Sequence, residues 1–287
     1  MKKKGRIFWI VCASLLALGF VCLIIGFATG AGKVGFRTGL INGIVINEFD
    51  FKDAYSKDSY SWNLGAKNKS IENQSKQFED VKELEIDVNI GEVDIVLHDE
   101  PYIEVISNYD TQQQELTITQ DQDKLRVQSR VYARYKVGSH ISVGHVRIYV
   151  PKDVEFATVN IETGAGDLYI ENIQAEEFDL SVGAGRAIID NLNVGEFILD
   201  VGAGEIKAMN VQVEEEGSAI CGVGLIDMRM SGMQEDYNYQ IALGIGNIQI
   251  GGNNYSGLGA EKKIDNHARK DLEFDCGVGS IEVRFEK

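Results

Sequence analysis

Proline, cysteine and histidine are all scarce in this sequence. Its 287 residues include two prolines, four cysteines and four histidines. With so little proline and a hydrophobic content of 44%, the chain can fill a core, which argues against wholesale disorder. The histidines His98, His140, His145 and His267 show neither paired spacing nor a neighbouring cysteine, so the sequence predicts no metal site.

Basic residues are the second shortage. Lys and Arg number 28 against 44 Asp and Glu, which gives a formal net charge of −16 at pH 7. Lys2, Lys3, Lys4 and Arg6 lie at the N-terminus, so the rest of the chain is more acidic still. Because phosphate contacts need clustered Lys and Arg, the sequence argues against DNA and RNA as partners.

One long stretch near the N-terminus lacks charge. Residues 7–27 contain no charged side chain, and at ~1.5 Å per residue they span a bilayer's hydrocarbon core. The basic residues before it keep the N-terminus in the cytoplasm, and a cleaved signal peptide, with its shorter apolar part, is the alternative. We predict an anchor in the cell membrane with this division: a cytoplasmic tail (1–6), a transmembrane α-helix in the lipid bilayer (7–30), an extracytoplasmic stalk (31–80) and a β-repeat domain (81–287).

From Leu84 onward one pattern recurs. Each copy has three alternating, mostly apolar residues, then G-x-G (N-I-G in the first copy), then two more alternating apolar residues. Copies two to six are separated by 19, 19, 20 and 22 residues. Alternation indicates β-strands, and a near-constant period of this length indicates stacked units. The second glycines of copies one to seven are Gly91, Gly166, Gly185, Gly204, Gly224, Gly246 and Gly279.

The predicted fold class is all-β: a parallel β-solenoid, or β-helix-like, repeat domain preceded by the transmembrane α-helix. The apolar phase shifts by one residue at G-x-G, which predicts a glycine corner between two strands. In copy four we expect Phe197, Leu199 and Val201 to be buried and Asp200 to be exposed.

Two features accompany the repeat. Four strand-like runs at 102–107, 115–119, 124–129 and 145–150 predict an antiparallel excursion that covers one side or end of the coil. Asn172, Asn191 and Asn210 recur at intervals of 19 residues. They indicate either an asparagine ladder at a second corner or the ordinary preference of Asn for turns, and both interpretations stay open.

These motifs resemble a known bacterial family. Residues 145–153 read HVRIYVPKD and residues 164–170 read GAGDLYI, with further G-A-G copies after them. With the short basic N-terminus and single apolar segment, the combination resembles the bacterial family of candidate adhesins, a membrane-anchored domain of unknown function with β-strand repeats. The resemblance covers residues 80–287 and implies a β-solenoid-like domain on the outer face of the cytoplasmic membrane. That family carries no agreed catalytic residues, so none is transferred.

No motif predicts a catalytic, cofactor-binding or metal-binding residue. The G-x-G copies lack the third glycine, the following helix and the βαβ unit of a dinucleotide site. Asp167 after Gly166 faintly resembles a calcium-binding roll, but such rolls repeat every nine residues and keep the Asp. There is no G-x-S-x-G elbow and no Cys–His pattern. The sequence therefore predicts that the protein is not an enzyme.

The expected function is binding. A repeat domain offers a rigid, extended surface, which favours a non-enzymatic, adhesin-like protein that binds or senses an envelope polymer or a membrane or surface protein. One alternative is a regulatory ectodomain acting on a membrane sensor of envelope stress. The other is a carbohydrate-active β-helix enzyme, which a groove of clustered Asp and Glu would favour.

Cys221 and Cys276 hold the inward position before G-V-G in copies five and seven. An extracytoplasmic location permits disulfides. If the copies stack in chain order, however, copy six separates the two Cα atoms by ~9–10 Å, beyond the ~7 Å limit of a disulfide. We therefore predict two free, buried thiols.

Overall fold

Alternating apolar residues place nearly all of the described chain in β-strands. The computed structural model describes residues 71–132 and 144–286, and its 14 strands join in one sheet, which confirms the all-β prediction. The strands are β1 (Ile71–Phe78), β2 (Glu83–His98), β3 (Ile103–Asp110), β4 (Gln114–Asp121), β5 (Lys124–Val131), β6 (Gly144–Pro151), β7 (Phe156–Ile170), β8 (Ile173–Ile189), β9 (Leu192–Ser231), β10 (Tyr237–Leu243), β11 (Asn247–Ile250), β12 (Asn253–Ser256), β13 (Ala260–Ile264) and β14 (Lys270–Glu286). A 3-10 turn, Gln234–Asp236, precedes β10.

The predicted tail, the transmembrane helix and residues 31–70 of the stalk lie outside the described residues. In the part of the chain that the structure describes, no helix has the length and apolar character needed to span a bilayer. Strand β1, in the region assigned to the stalk, pairs antiparallel with β3, so the sheet begins before residue 81.

The repeat coils as a parallel solenoid. Strands β2, β7, β8 and β9 pair in parallel, and the register sets Gly91 beside Gly166, Gly166 beside Gly185, and Gly185 beside Gly204. Copies one to three lie in β2, β7 and β8, copies four and five in β9, copy six in β10 and β11, and copy seven in β14. The parallel β-solenoid prediction is confirmed.

Each full turn has three straight stretches, one more than the sequence predicted. In β8 the buried side chains are Ile173 and Ala175, then Phe178, Leu180 and Val182, then Ala187 and Ile189. The spacing between inward residues changes at Glu176–Glu177, at G-x-G and again near Asn191. The short first stretch was missed because two inward residues make too brief an alternation to recognise.

The glycines at the corner permit the close stacking of the turns. A Cβ at Gly166 would lie 1.8 Å from the carbonyl oxygen of Gly91, and a Cβ at Gly185 would lie 2.0 Å from that of Gly166. Both residues also have positive φ, +144° and +154°, which L side chains rarely adopt. The predicted glycine corner is therefore present. Its glycines allow close contact between turns as well as the bend in the chain.

The core prediction for copy four is confirmed at its apolar residues. Phe197, Leu199 and Val201 are 2%, 0% and 0% exposed. Asp200 lies on the outer face as the phase requires, but it is half-buried rather than exposed. Its register partner in β8 is Ser181.

The stacking order at the C-terminal end differs from chain order. Strand β14 pairs in parallel with the second half of β9 on one side and with β10 and β11 on the other. Copy seven therefore lies between copies five and six. The chain passes over copy six through β12 and β13, and β13 pairs with the outer edge of β10.

The opposite end is covered by the excursion, which is only partly antiparallel. Strands β5 and β6 both pair in parallel with β2, on its two halves. Antiparallel pairing is confined to β4 with β5, β3 with β6, and β1 with β3. The four predicted strands all exist, but two of them extend the parallel coil and the others cover it.

The asparagine ladder has two members in the structure. The side-chain amide of Asn210 donates to Oδ1 of Asn191 at 3.1 Å and to the carbonyl oxygen of Asp190 at 3.0 Å. Asn191 donates to the carbonyl of Glu171 at 2.9 Å. Asn210 also has a φ of +48°, so both interpretations of these residues hold.

Candidate functional site

The outer face of the strands before the corner carries a line of acids. Glu177 pairs in register with Glu196, and Asp271 pairs with Glu216. The offset that lays Gly222 against Gly202 also brings Glu216 beside Glu196. Glu177, Glu196, Glu216 and Asp271, the acid ladder, thus stand on four adjacent strands spaced ~4.8 Å apart.

The acid ladder borders a groove of about 550 Å³. Its lining includes two further acids, Asp179 and Glu273, and one basic residue, Lys263. Below them, Phe178 and Phe197 are buried in the core, whereas Ile198 is 45% exposed at the surface. The acidic groove therefore combines carboxylates with a small apolar patch.

Repulsion within the ladder is not relieved by neighbouring cations. Within the described residues, no member of the acid ladder forms an ion pair. Loss of hydration raises the pKa of Glu196, and the charges of Glu216, Glu215 and Glu177 raise it further. Burial raises the pKa of Asp179 as well. Like charges directly opposite on neighbouring strands are destabilising, and an approaching cation would offset this repulsion.

On the same outer face, the acids are neutralised at the capped end of the coil, which is the end that the excursion covers. Arg126 and Lys124 hydrogen-bond Glu85 and lower its pKa to about 2, and Arg130 pairs with Asp87. These cations come from β5, which pairs with β2. Acidic residues are thus paired on the first turn, whereas the acid ladder on the later turns is not.

A second charged line follows the corner and is internally paired. Glu92 lies 2.8 Å from Nδ1 of His145, Asp94 lies 2.7 Å from Arg147, and Arg186 lies 3.0 Å from Glu205. The Glu92 carboxylate raises the pKa of His145. Because most of its charges are paired, with Asp167 between Glu92 and Arg186 as the exception, this line is a weaker candidate for a binding surface.

The histidines are dispersed in the structure. Nε2 of His98 lies 2.6 Å from the carbonyl oxygen of Tyr102, and the exposed His267 lies 3.4 Å from Asp265, while His140 falls outside the described residues. Among the residues with described positions, no three His, Cys, Asp or Glu side chains meet in a group able to hold a metal.

The two cysteines are free and buried, as predicted, but the reasoning behind that prediction was wrong. Cys276 is the register partner of Cys221 on the adjacent strand, because copy seven rather than copy six stacks on copy five. Burial raises the pKa of the Cys221 thiol to about 11, so in the folded chain the thiol form dominates at neutral pH.

The acid ladder was missed at the sequence level although a signal was present. Each of its members stands eight residues before the second glycine of its copy. The sequence shows that acids are abundant, and only the register of the turns shows that these four align. The position of copy seven, which adds Asp271 beside Glu216, had no sequence signal.

Comparison with known proteins gives a family for this arrangement. The family model described as Toastrack DUF4097 matches residues 81–221 and 152–272, which together cover the solenoid from its first copy into its last. No curated protein matches the chain.

Several solved structures are similar at low identity. A candidate cell adhesion protein from Clostridium sporogenes is 12% identical, with a TM-score of 0.41 over 75% of this chain and 100% of that chain. A candidate adhesin from Bacteroides fragilis is 13% identical, with a TM-score of 0.43 over 75% and 98%. A candidate lipid binding protein from Parabacteroides distasonis is 15% identical, with a TM-score of 0.26 over 77% and 98%. Likeness at this level carries no inference about function.

Proposed function

Since the chain belongs to the Toastrack DUF4097 family, we propose that it is a non-enzymatic, adhesin-like binding module whose acidic groove takes a basic segment of a protein partner. The observation that carries this proposal is the acid ladder, whose members form no ion pair within the described residues, although Asp271 accepts a hydrogen bond from the side-chain amide of Asn238 at 2.9 Å. Four aligned carboxylates and the exposed Ile198 match a strand-like segment that presents lysine or arginine together with an apolar side chain.

The setting of this binding event is the outer face of the cell membrane. Residues 7–30 anchor the chain in the lipid bilayer, and the basic N-terminus holds that end in the cytoplasm. The acidic domain then faces envelope material and the extracytoplasmic parts of other membrane proteins. A regulatory role is the same binding event with a membrane sensor as the partner.

Binding is tested with the full chain in detergent and a fluorescent lysine homopeptide. The variant E177Q/E196Q/E216Q removes three charges of the acid ladder. Exposed ion pairs contribute about 0.2–1 kcal/mol each, so we expect the affinity to fall about tenfold. Raising the salt concentration should weaken binding to the native chain more than to the variant.

The matched control is E100Q/E115Q/E261Q, which changes the net charge by the same amount at exposed acids outside the acidic groove. It should bind the peptide nearly as well as the native chain. Equal losses in the two variants would show that only net charge matters and would refute the groove. Binding of an amine-bearing envelope polymer without binding of the peptide would refute the protein partner.

Carbohydrate cleavage is the second candidate function, because Asp and Glu cluster in the acidic groove, as expected of a carbohydrate-active β-helix enzyme. The neighbouring strands that carry these acids are ~4.8 Å apart, a spacing close to the ~5–5.5 Å between the carboxyl groups of retaining glycosidases. Such enzymes, however, drive the two carboxyl pKa values apart by contrasting environments, whereas the members of the acid ladder occupy equivalent positions. Release of new reducing ends from envelope polysaccharide, abolished by E196Q, would establish this function instead.

A further inference from the structure

Cys221 and Cys276 form an aligned pair in the core. Both thiols point inward, with exposures of 1% and 0%, from neighbouring parallel strands in which their residues are register partners. Each side chain also influences the pKa of the other, as adjacent groups do. The pair exists only because β14 is inserted between β9 and β10.

The backbone geometry is compatible with a covalent bond between them. Register partners on adjacent strands have Cα atoms ~4.8 Å apart, within the 4.4–6.8 Å range of disulfides. Side chains of parallel strands point the same way, so the Cβ atoms are also separated by about the strand spacing. That is slightly more than the ~3.5–4.5 Å a relaxed disulfide prefers, and a strained disulfide is more easily reduced.

We propose that Cys221 and Cys276 are a disulfide site that staples copy seven into its place out of chain order. The bond forms by thiol–disulfide exchange with a disulfide-bearing oxidant, either an oxidoreductase or a small-molecule disulfide. One thiolate attacks the oxidant's disulfide and releases its first thiol. The second thiolate then displaces the other half, so two protein thiols are oxidised and one oxidant disulfide is reduced to two thiols.

Burial decides when the exchange occurs. The thiols are inaccessible in the folded chain, and the raised pKa of Cys221 keeps its nucleophilic form scarce. Oxidation therefore takes place while the last turns assemble, or after β14 opens. Once formed, the bond closes a loop that contains all of copy six. A disulfide across a long loop lowers the conformational entropy of the unfolded chain and so stabilises the folded one.

The test is refolding of the full chain in a mixture of reduced and oxidised glutathione, followed by alkylation and peptide mapping under non-reducing conditions. We expect a cross-linked peptide pair joining Cys221 and Cys276. The oxidised chain should melt about 5–10 °C higher than the reduced chain, and mild reductant should remove that difference.

The control C276A should lack both the cross-link and the effect of reductant on melting, and mapping of the native chain keeps the test valid if this variant folds poorly. Glutathione trapped as mixed disulfides on both residues, without the cross-link, would overturn the proposal. So would a cross-link only between Cys12 and Cys22, the other two cysteines of the chain.

Discussion

Leu199 and Asp200 are neighbours in the chain but lie on opposite faces of the sheet. Leu199 is fully buried among the inward residues of adjacent turns, whereas Asp200 lies half-buried on the outer face. This alternation is a property of extended backbone, and it is why the inward residues could be predicted without a structure.

Replacing Leu199 with alanine tests that assignment. Leu199→Ala should lower the free energy of unfolding by ~2–5 kcal/mol, because burial is lost and a cavity remains. Asp200→Ala should change it by less than ~0.5 kcal/mol. Both values come from urea unfolding of the full chain in detergent, and equal effects would show that the strand phase is wrong.

The Glu92–His145 pair makes stability depend on pH. The pKa of His145 is raised above 6.5 and that of Glu92 is lowered below 4.5 in the fold. The histidine contribution is therefore complete below pH 6.5 and is lost as pH rises through the folded pKa. The glutamate contribution is complete above pH 4.5 and is lost as pH falls through the folded pKa.

The variant His145→Gln should flatten the fall in stability on the alkaline side of pH 6.5. Asp94 and Arg147 also face His145, with opposite charges that leave Glu92 as its main partner. The measurement is the midpoint of urea unfolding across pH 5 to 9, with His267→Gln, at a histidine whose side chain is 91% exposed, as the control. A steep alkaline decline that persists in His145→Gln would assign it to another group.

Strand β14 joins two parts of the coil that are not consecutive in the chain. Among the described strands, β10 and β11 pair only with β14 and with the two strands β12 and β13 that cover them. Copy six is therefore held to the rest of the solenoid through copy seven. Copies six and seven should open as one cooperative unit.

A chain ending at residue 269 tests this dependence. Loss of β14 should expose residues 237–264 to protease while residues 156–208 stay protected. A chain ending at residue 283, which keeps the pairing of β14 with β10 and β11, should keep both regions protected. Continued protection of residues 237–264 in the shorter chain would show that copy six does not need copy seven.

The contrast between Leu199 and copy seven shows what sequence alone could supply. Alternation and the 19-residue period determine which residues face inward and that turns stack in parallel. They do not determine the order in which the copies stack once a long connection such as 251–269 intervenes. The entropy cost of closing such a loop is little greater for a strand that is one turn further away. The aligned cysteines, and Asp271 of the acid ladder, follow from that unpredicted step.

Net charge and fold together produce the surface on which the proposed function rests. An excess of 16 acidic charges could be spread evenly, but the constant period gathers some of them into aligned rows. The pairing of β5 with β2 neutralises the row at the capped end. The acid ladder borders the acidic groove and forms no ion pair in the part of the chain that the structure describes.

Hydrogen–deuterium exchange of the full chain, with and without the lysine homopeptide, tests that surface most directly. Bound peptide should slow exchange in the strands of the acid ladder, around residues 177–181, 196–200, 216–220 and 271–275. Exchange should stay unchanged in β2, whose acids are paired, and in the strands after the corner. Protection centred on those other strands, or spread evenly over the domain, would contradict binding at the acidic groove.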